Sequence, residues 1–189
     1  MKADEQEYEI RTEVARNADY SDVLEIEVSA RTGDGIDSIK ARLSATLIPG
    51  LIFEAFDMTG DLINAYELLT IGASKINKTN IAAGIHGDLE ADLFLIIDRL
   101  NVDDQARGNH LGLRLMREAV SLFGNEFTQV LVQAAPQGED MSKEKVQGLM
   151  NYYKSDQYLK LKEVDSENYL GWLITVGEED YSLEGRYFP

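Results

Sequence analysis

The chain lacks cysteine altogether, has only two histidines, and is short of positive charge. It carries 18 Lys and Arg against 34 Asp and Glu, a formal charge of -16 over 189 residues. The absence of cysteine excludes disulfides, thiolate metal sites and a cysteine nucleophile. It also fits a reducing compartment, and a cytoplasmic location is the expectation. His86 and His110 stand 24 positions apart without HxxxH spacing, so no metal is expected. The acidic balance repels nucleic-acid backbones and anionic membranes, and neither is expected as a partner. It favours cationic ones such as amines, although solubility alone also accounts for it. No apolar run is long enough to span a bilayer. The opening MKADEQEYEI has no apolar signal-peptide core. Ser-His-Asp logic, a Gly-x-Ser-x-Gly elbow and a Walker loop are missing as well.

What is present reads as one folded domain over residues 1–189, with 44% hydrophobic residues to build its core. Alternation predicts strands over 7–16, 22–30 and 36–48. The last two form a hairpin around Asp34-Gly35, and Pro49-Gly50 stops the second. Leu62, Ala65, Tyr66 and Leu69 predict a helix over Thr59–Ile71, with Thr59 as its N-cap. Residues 72–90 read as loop with a short strand at Ile81–Ile85. After a strand over 92–99 come a helix over 111–123 closed by Gly124, a strand over 127–135 broken at Pro136, and a helix over 142–155 capped by Ser142. Strands at Tyr158–Val164 and Leu170–Val176 and an acidic, aromatic tail at 178–189 complete the chain. Strand and helix order predicts an α/β or α+β domain with a mixed sheet.

The most informative segment is Leu93–Gly112, LFLIIDRLNVDDQARGNHLG. An apolar strand enters a small-residue loop, and an amphipathic helix follows at once. The first N–H groups of a helix have no internal acceptor and its dipole favours negative charge, so residues 107–113 are predicted to hold a phosphate or pyrophosphate. The acidic chain as a whole opposes such a ligand, so local donors, Arg107 and Arg114 have to supply the attraction.

The stretch LNVDDQARGNHLG resembles the acetyl-CoA signature of the GNAT superfamily of N-acetyltransferases. There a strand of type L-x-V leads through an Arg/Gln-x-x-Gly-x-Gly/Ala turn into a helix. Leu100-Asn101-Val102 matches the strand end and Arg107 to Gly112 the turn. YYKSDQYLKL at 152–161 resembles the family's Tyr-Glu-Lys-Leu-Gly-Phe element, one helix and one strand further on. The resemblance covers about residues 91–164. IIDRLNV and TGDLINAYELL are more loosely similar to a bacterial branch of the superfamily. The sequence departs from the pattern at three places. His110 replaces the first glycine of Gly-x-Gly, Asp156-Gln157-Tyr158 replaces Leu-Gly-Phe, and Val146 stands near the place of a common Asn.

The resemblance implies a single GNAT-like domain: a mostly antiparallel, twisted, mixed sheet with one splayed parallel pair and flanking helices. Residues 7–71 supply its N-terminal hairpin and helix, and 91–164 the acyl-CoA-binding half. It implies an N-acyltransferase using acetyl-CoA, or another acyl-CoA, as cosubstrate, by direct attack of an acceptor amine on the thioester. Backbone N–H groups of Gly108, Asn109, His110, Leu111, Gly112 and Leu113 would cradle the pyrophosphate, with Arg107 adding charge. Leu100, Asn101 and Val102 would pair with the pantetheine arm as an added strand, and the Val102 N–H would polarise the carbonyl. Tyr153 takes the place of the general acid at sulfur, with Tyr152 the alternative one position earlier. Asp98 shares a strand face with Leu100 and Val102 by period two and is the candidate base; a structural ion pair is its equal alternative. Glu54, Asp57 and Glu67 would line a pocket for a cationic acceptor, or else form a solvated helix face. The acceptor is expected to be an amine on a small molecule or peptide, and a homodimer is compatible with the sequence. A catalytically inactive module of the same fold, binding CoA as a sensor or meeting other proteins, is the competing expectation.

Overall fold

A computed structural model describes residues 7–33, 38–49, 93–124, 128–135, 142–163 and 172–175. The predicted helix at 59–71, the strand at 81–85, the Asp34-Gly35 turn, the Pro136 break, the residues Glu54, Asp57, Glu67 and His86, and the tail lie outside these.

The described residues form a mixed α/β arrangement, one seven-stranded sheet with two helices. In chain order the elements are β1 (Glu9–Arg16), β2 (Leu24–Arg31), β3 (Ile39–Pro49), β4 (Leu93–Val102), α1 (Leu111–Phe123), β5 (Thr128–Gln133), α2 (Lys143–Lys154), β6 (Leu161–Glu163) and β7 (Trp172–Thr175). The sheet order is β1-β2-β3-β4-β5-β7-β6. Every neighbouring pair is antiparallel except β4 and β5. The expected pairing of the second and third strands is present, with Val28 opposite Leu43.

Alternation decides which side chains reach the core. Ile26 and Val28 of β2, Leu43, Ala45 and Leu47 of β3, and Leu95 and Ile97 of β4 are buried together beneath α1. The helix meets them with Leu111, Leu115, Met116 and Ala119, a stripe spaced by three and four. Each fully buried Leu or Met stabilises the fold by up to about 1.5–3 kcal/mol through removal of apolar surface from water. Phe94 and Ile96, alternating with these residues, are buried on the other face, as are Ile48 and Leu131. A strand apolar on both faces is what a central position in the sheet demands. Met116 and Met150 are core residues, and Val146, Met150 and Tyr153 bury one side of α2 in the same cluster.

Strand boundaries differ from the sequence expectation by one to three residues, and two of the differences have a visible cause. β4 runs on to Val102 because β3 pairs with it that far, Ala41 opposite Val102. The strand expected at 158–164 is only Leu161–Glu163. The Asp156 carboxylate accepts the N–H groups of Tyr158 (2.9 Å) and Leu159 (3.2 Å), which folds these residues into a turn before the strand begins.

β4 also contains a bulge. Ile97 lies opposite Ala45 and Arg99 opposite Ser44, so Asp98 is one residue extra on its strand. The bulge shifts the alternation. Leu95 and Ile97 face α1 before it, and Leu100 and Val102 pack against the same cluster after it. Among the described residues no helix is long and apolar enough to cross a membrane.

Candidate functional site

The only parallel pair of the described sheet is also where the sheet forks. β4 and β5 pair from Leu93–Thr128 to Ile97–Val132. Beyond that register β4 continues along β3 to Val102, while β5 ends at Gln133. A cavity of about 540 Å³ opens at the fork. Leu100 and Val102 of β4 and Ala135 beyond β5 line it, and the turn from Arg107 to Gly112 forms one rim. α2 contributes Lys145, Gly148, Leu149, Tyr152 and Tyr153. This is the size and largely apolar lining of a small-molecule site.

The turn is built for close approach. Asp103 accepts the Gln105 N–H at 2.9 Å and starts a single 3-10 turn over Asp104–Ala106. Gly108 then takes φ +84, and a Cβ there would meet nothing within 4 Å. His110 takes φ 54 and ψ 23, the left-handed conformation. An L-residue adopts it at a cost of about 1–2 kcal/mol, although histidine is enriched there among non-glycine residues. The departure from the Gly-x-Gly pattern is therefore one of side chain, since the backbone keeps a conformation that glycine favours. Gly112 lets α1 approach the strand: a Cβ there would lie 3.1 Å from Leu100 Cδ2. The Asn109 amide nitrogen donates to the Ala106 carbonyl at 3.1 Å and braces the turn.

The Arg114 N–H bonds the His110 carbonyl at 3.0 Å, which leaves the N–H groups of Leu111, Gly112 and Leu113 ahead of the intrahelical ladder. Burial pushes the Tyr152 hydroxyl pKa up, against the opposing effect of the nearby Leu113 backbone N–H. The Tyr152 ring stacks on His110, with centroids 6.0 Å apart and planes 19° from parallel.

Tyr153 is 5% exposed. Burial holds its pKa well above the ordinary phenol range, with Tyr152 adding to the shift, so it stays protonated. Among the described residues its hydroxyl has no hydrogen-bond partner. Such a group costs free energy unless a partner satisfies it.

The sequence-predicted residues divide. Leu100, Val102, Arg107, Gly108, His110, Leu111, Gly112 and Tyr153 come together around the cavity. Asn101, Asn109 and Leu113 are adjacent in the chain without lining it. Arg107 forms an exposed 2.8 Å pair with Asp104, an interaction weak enough to exchange for another anion. Asp98 departs from expectation: the bulge places it out of phase with Leu100 and Val102. Its carboxylate accepts the Thr46 hydroxyl at 2.7 Å, and it is not among the cavity residues.

Sequence reading missed three cavity residues on α2, Lys145, Gly148 and Leu149. Their spacing to Tyr152 by three, four and seven marks one helix face and could have revealed them. It also missed Arg117, whose Nε donates to Asp156 at 2.7 Å. The Asp156 side chain is fully enclosed. Burial alone would raise its pKa, but Arg117 and the Leu159 and Tyr158 N–H groups outweigh burial and lower it. Asp156, a departure from the family pattern, ties the end of α2 to α1.

No known protein family, curated protein or solved structure matches the chain.

Proposed function

We propose that the chain is a GNAT-like N-acyltransferase that uses acetyl-CoA or a related acyl-CoA and transfers the acyl group directly to an amine. A parallel pair that parts beside a helix N-terminus supports this reading, because the fork admits an extended arm between strands. Support also comes from the paired features of the turn, its forward N–H groups and the cationic Arg107 and Lys145, within a chain of charge -16. The observation that carries the reading is Tyr153, a buried phenol that lines the cavity and lacks an acceptor among the described residues.

In this reading Leu100, Asn101 and Val102 hold the pantetheine arm by their backbone, and the turn with the start of α1 holds the pyrophosphate. The Val102 N–H polarises the thioester carbonyl. Nitrogen bonds to that carbon as the carbon–sulfur bond breaks, and Tyr153 gives its proton to the departing sulfur. The phenolate is then reprotonated by the proton released from the amine. The acceptor is an amine on a small molecule or peptide, and a cationic one suits the acidic chain.

Acetyl transfer from labelled acetyl-CoA to a panel of amines tests the proposal. Wild type should turn over. Tyr153→Phe should fall by about a hundredfold or more while still binding CoA. Full turnover in the variant would remove Tyr153 from this role.

Among the described residues the cavity lining contains no carboxylate. That favours a second reading, a module of this kind that binds CoA without transferring its acyl group. Such a protein would bind CoA and show no turnover with any amine.

A further inference from the structure

The two edges of the described sheet are unlike each other. β6, at one edge, is only three residues long, Leu161–Glu163. Shortness is one way in which proteins keep an edge strand from pairing with other chains. β1, at the other edge, runs from Glu9 to Arg16 without a proline and pairs with β2 at every residue without a bulge. Among the described residues no strand covers its outer side. Val14 is 50% exposed, although Ile26 opposite it on β2 is core.

The two faces of β1 differ in a regular way. Ile10, Thr12 and Val14 stand beside Ala30, Val28 and Ile26 of β2, on the face that α1 covers. Glu9, Arg11 and Glu13 take the opposite face by period two and alternate in sign. A two-fold pairing of this strand with its own copy is isologous, so one residue lies opposite itself. Centred on Thr12, the pairing sets Ile10 opposite Val14 of the second copy on the α1 face. On the other face it sets Arg11 opposite Glu13, and each of these contacts occurs twice. Centred on Arg11 or Glu13, it sets like charges opposite each other, which destabilises a sheet. Centres at Ile10 or Val14 shorten the overlap. The charge pattern thus selects one register.

We propose that β1 is a dimer interface, at which a second copy of this chain continues the sheet by antiparallel pairing about Thr12. Each Arg11 then meets Glu13 of the other copy, and the Ile10–Val14 contacts cover the half-exposed valine. Within one chain Arg11 bonds Glu9 at 2.9 and 3.1 Å, and Glu13 lies 3.8 Å from Arg31. Exposed pairs of this kind are weak enough to be exchanged or shared. The charge of -16 repels two copies at long range, but at physiological ionic strength screening sets in over about 8 Å, so contacts across the strands decide. β2 and β3 separate β1 from β4, so the interface leaves the cavity lining untouched and does not rest on the proposed function.

Sedimentation equilibrium of the full chain tests this, with circular dichroism to show that each variant is folded. Wild type should be a dimer at roughly 0.1 mM, where association with a micromolar Kd is nearly complete. Arg11→Glu and Glu13→Arg each set like charges opposite each other at both contacts, so each alone should self-associate at least about tenfold more weakly. An equimolar mixture of the two variants should dimerise again, since every acid at these two positions then faces an arginine. Val14→Lys, which sets a charge opposite Ile10, should also weaken the dimer and serves if a charge reversal fails to fold. A monomeric wild type would overturn the proposal, as would a dimer that none of the substitutions weakens. Two weakened charge variants that do not associate on mixing would overturn the register about Thr12, and the proposal with it.

Discussion

The enclosed carboxylate of Asp156 holds Arg117 of α1 through Nε and Nη2, both 2.7 Å from Oδ2. Its other oxygen takes two backbone N–H groups of the turn after α2. One side chain thereby fixes the helix that carries Tyr152 and Tyr153 against the helix whose N-terminus faces the cavity. Asp156→Ala should destabilise the fold by about 2–3 kcal/mol, through loss of a charged hydrogen bond and two capping bonds. Denaturant unfolding at neutral pH checks this. Arg117→Ala should raise the Asp156 pKa measurably by NMR, since only burial and the backbone bonds would then act on it.

The same pair gives a pH dependence with a definite sign. Asp156 titrates lower in the folded than in the unfolded chain. Its contribution is complete above the unfolded carboxylate value of about 3.9 and is lost as pH falls through the lower folded value. Asp156→Asn keeps an oxygen for the turn N–H groups and removes the titration. The stability difference between wild type and Asp156→Asn should therefore be constant at neutral pH and shrink in acid. A difference that grows in acid would contradict the pairing.

Tyr153 should behave unlike an ordinary core tyrosine. Its hydroxyl is buried without an acceptor among the described residues, so Tyr153→Phe removes a polar group that costs about 1–3 kcal/mol to enclose. The variant should melt at or above the wild-type temperature. A clear fall would mean that the hydroxyl is bonded within the protein, and the case for a ligand-directed group would fail.

His110 tests the turn. His110→Val places a β-branched side chain at φ 54 and should lose about 1–2 kcal/mol or more by chemical denaturation. His110→Gly should stay within about 1 kcal/mol of wild type, since relief of the left-handed strain offsets the added freedom of the unfolded chain.

Much of the fold was legible because it depends on local periodicity. The stripe Leu111, Leu115, Ala119 with Met116 defines α1, and its observed limits, Leu111–Phe123, are those the sequence indicates. The strand–turn–helix of the cavity rim was legible for the same reason. Features that depend on a distant partner were not. The bulge that turns Asp98 out of phase with Leu100 exists only in the register with β3, and no alternation within β4 reveals it. Arg117 and Asp156 are 39 positions apart and look like separate surface charges in the sequence. The strand expected from Tyr158 was misjudged because its β-forming residues compete with a carboxylate that captures their N–H groups. Lys145, Gly148 and Leu149 were legible in principle, since they share a helix face with Tyr152.

Thermal unfolding of the full chain with and without CoA decides whether the fork between β4 and β5 holds an acyl-CoA. A ligand that binds only the native state at about a hundredfold over its Kd adds about 2.7 kcal/mol. For a chain of this length that is a rise of roughly 5–10 °C in Tm. Tm should rise by this amount with CoA and with acetyl-CoA. An unchanged Tm at millimolar CoA would contradict it.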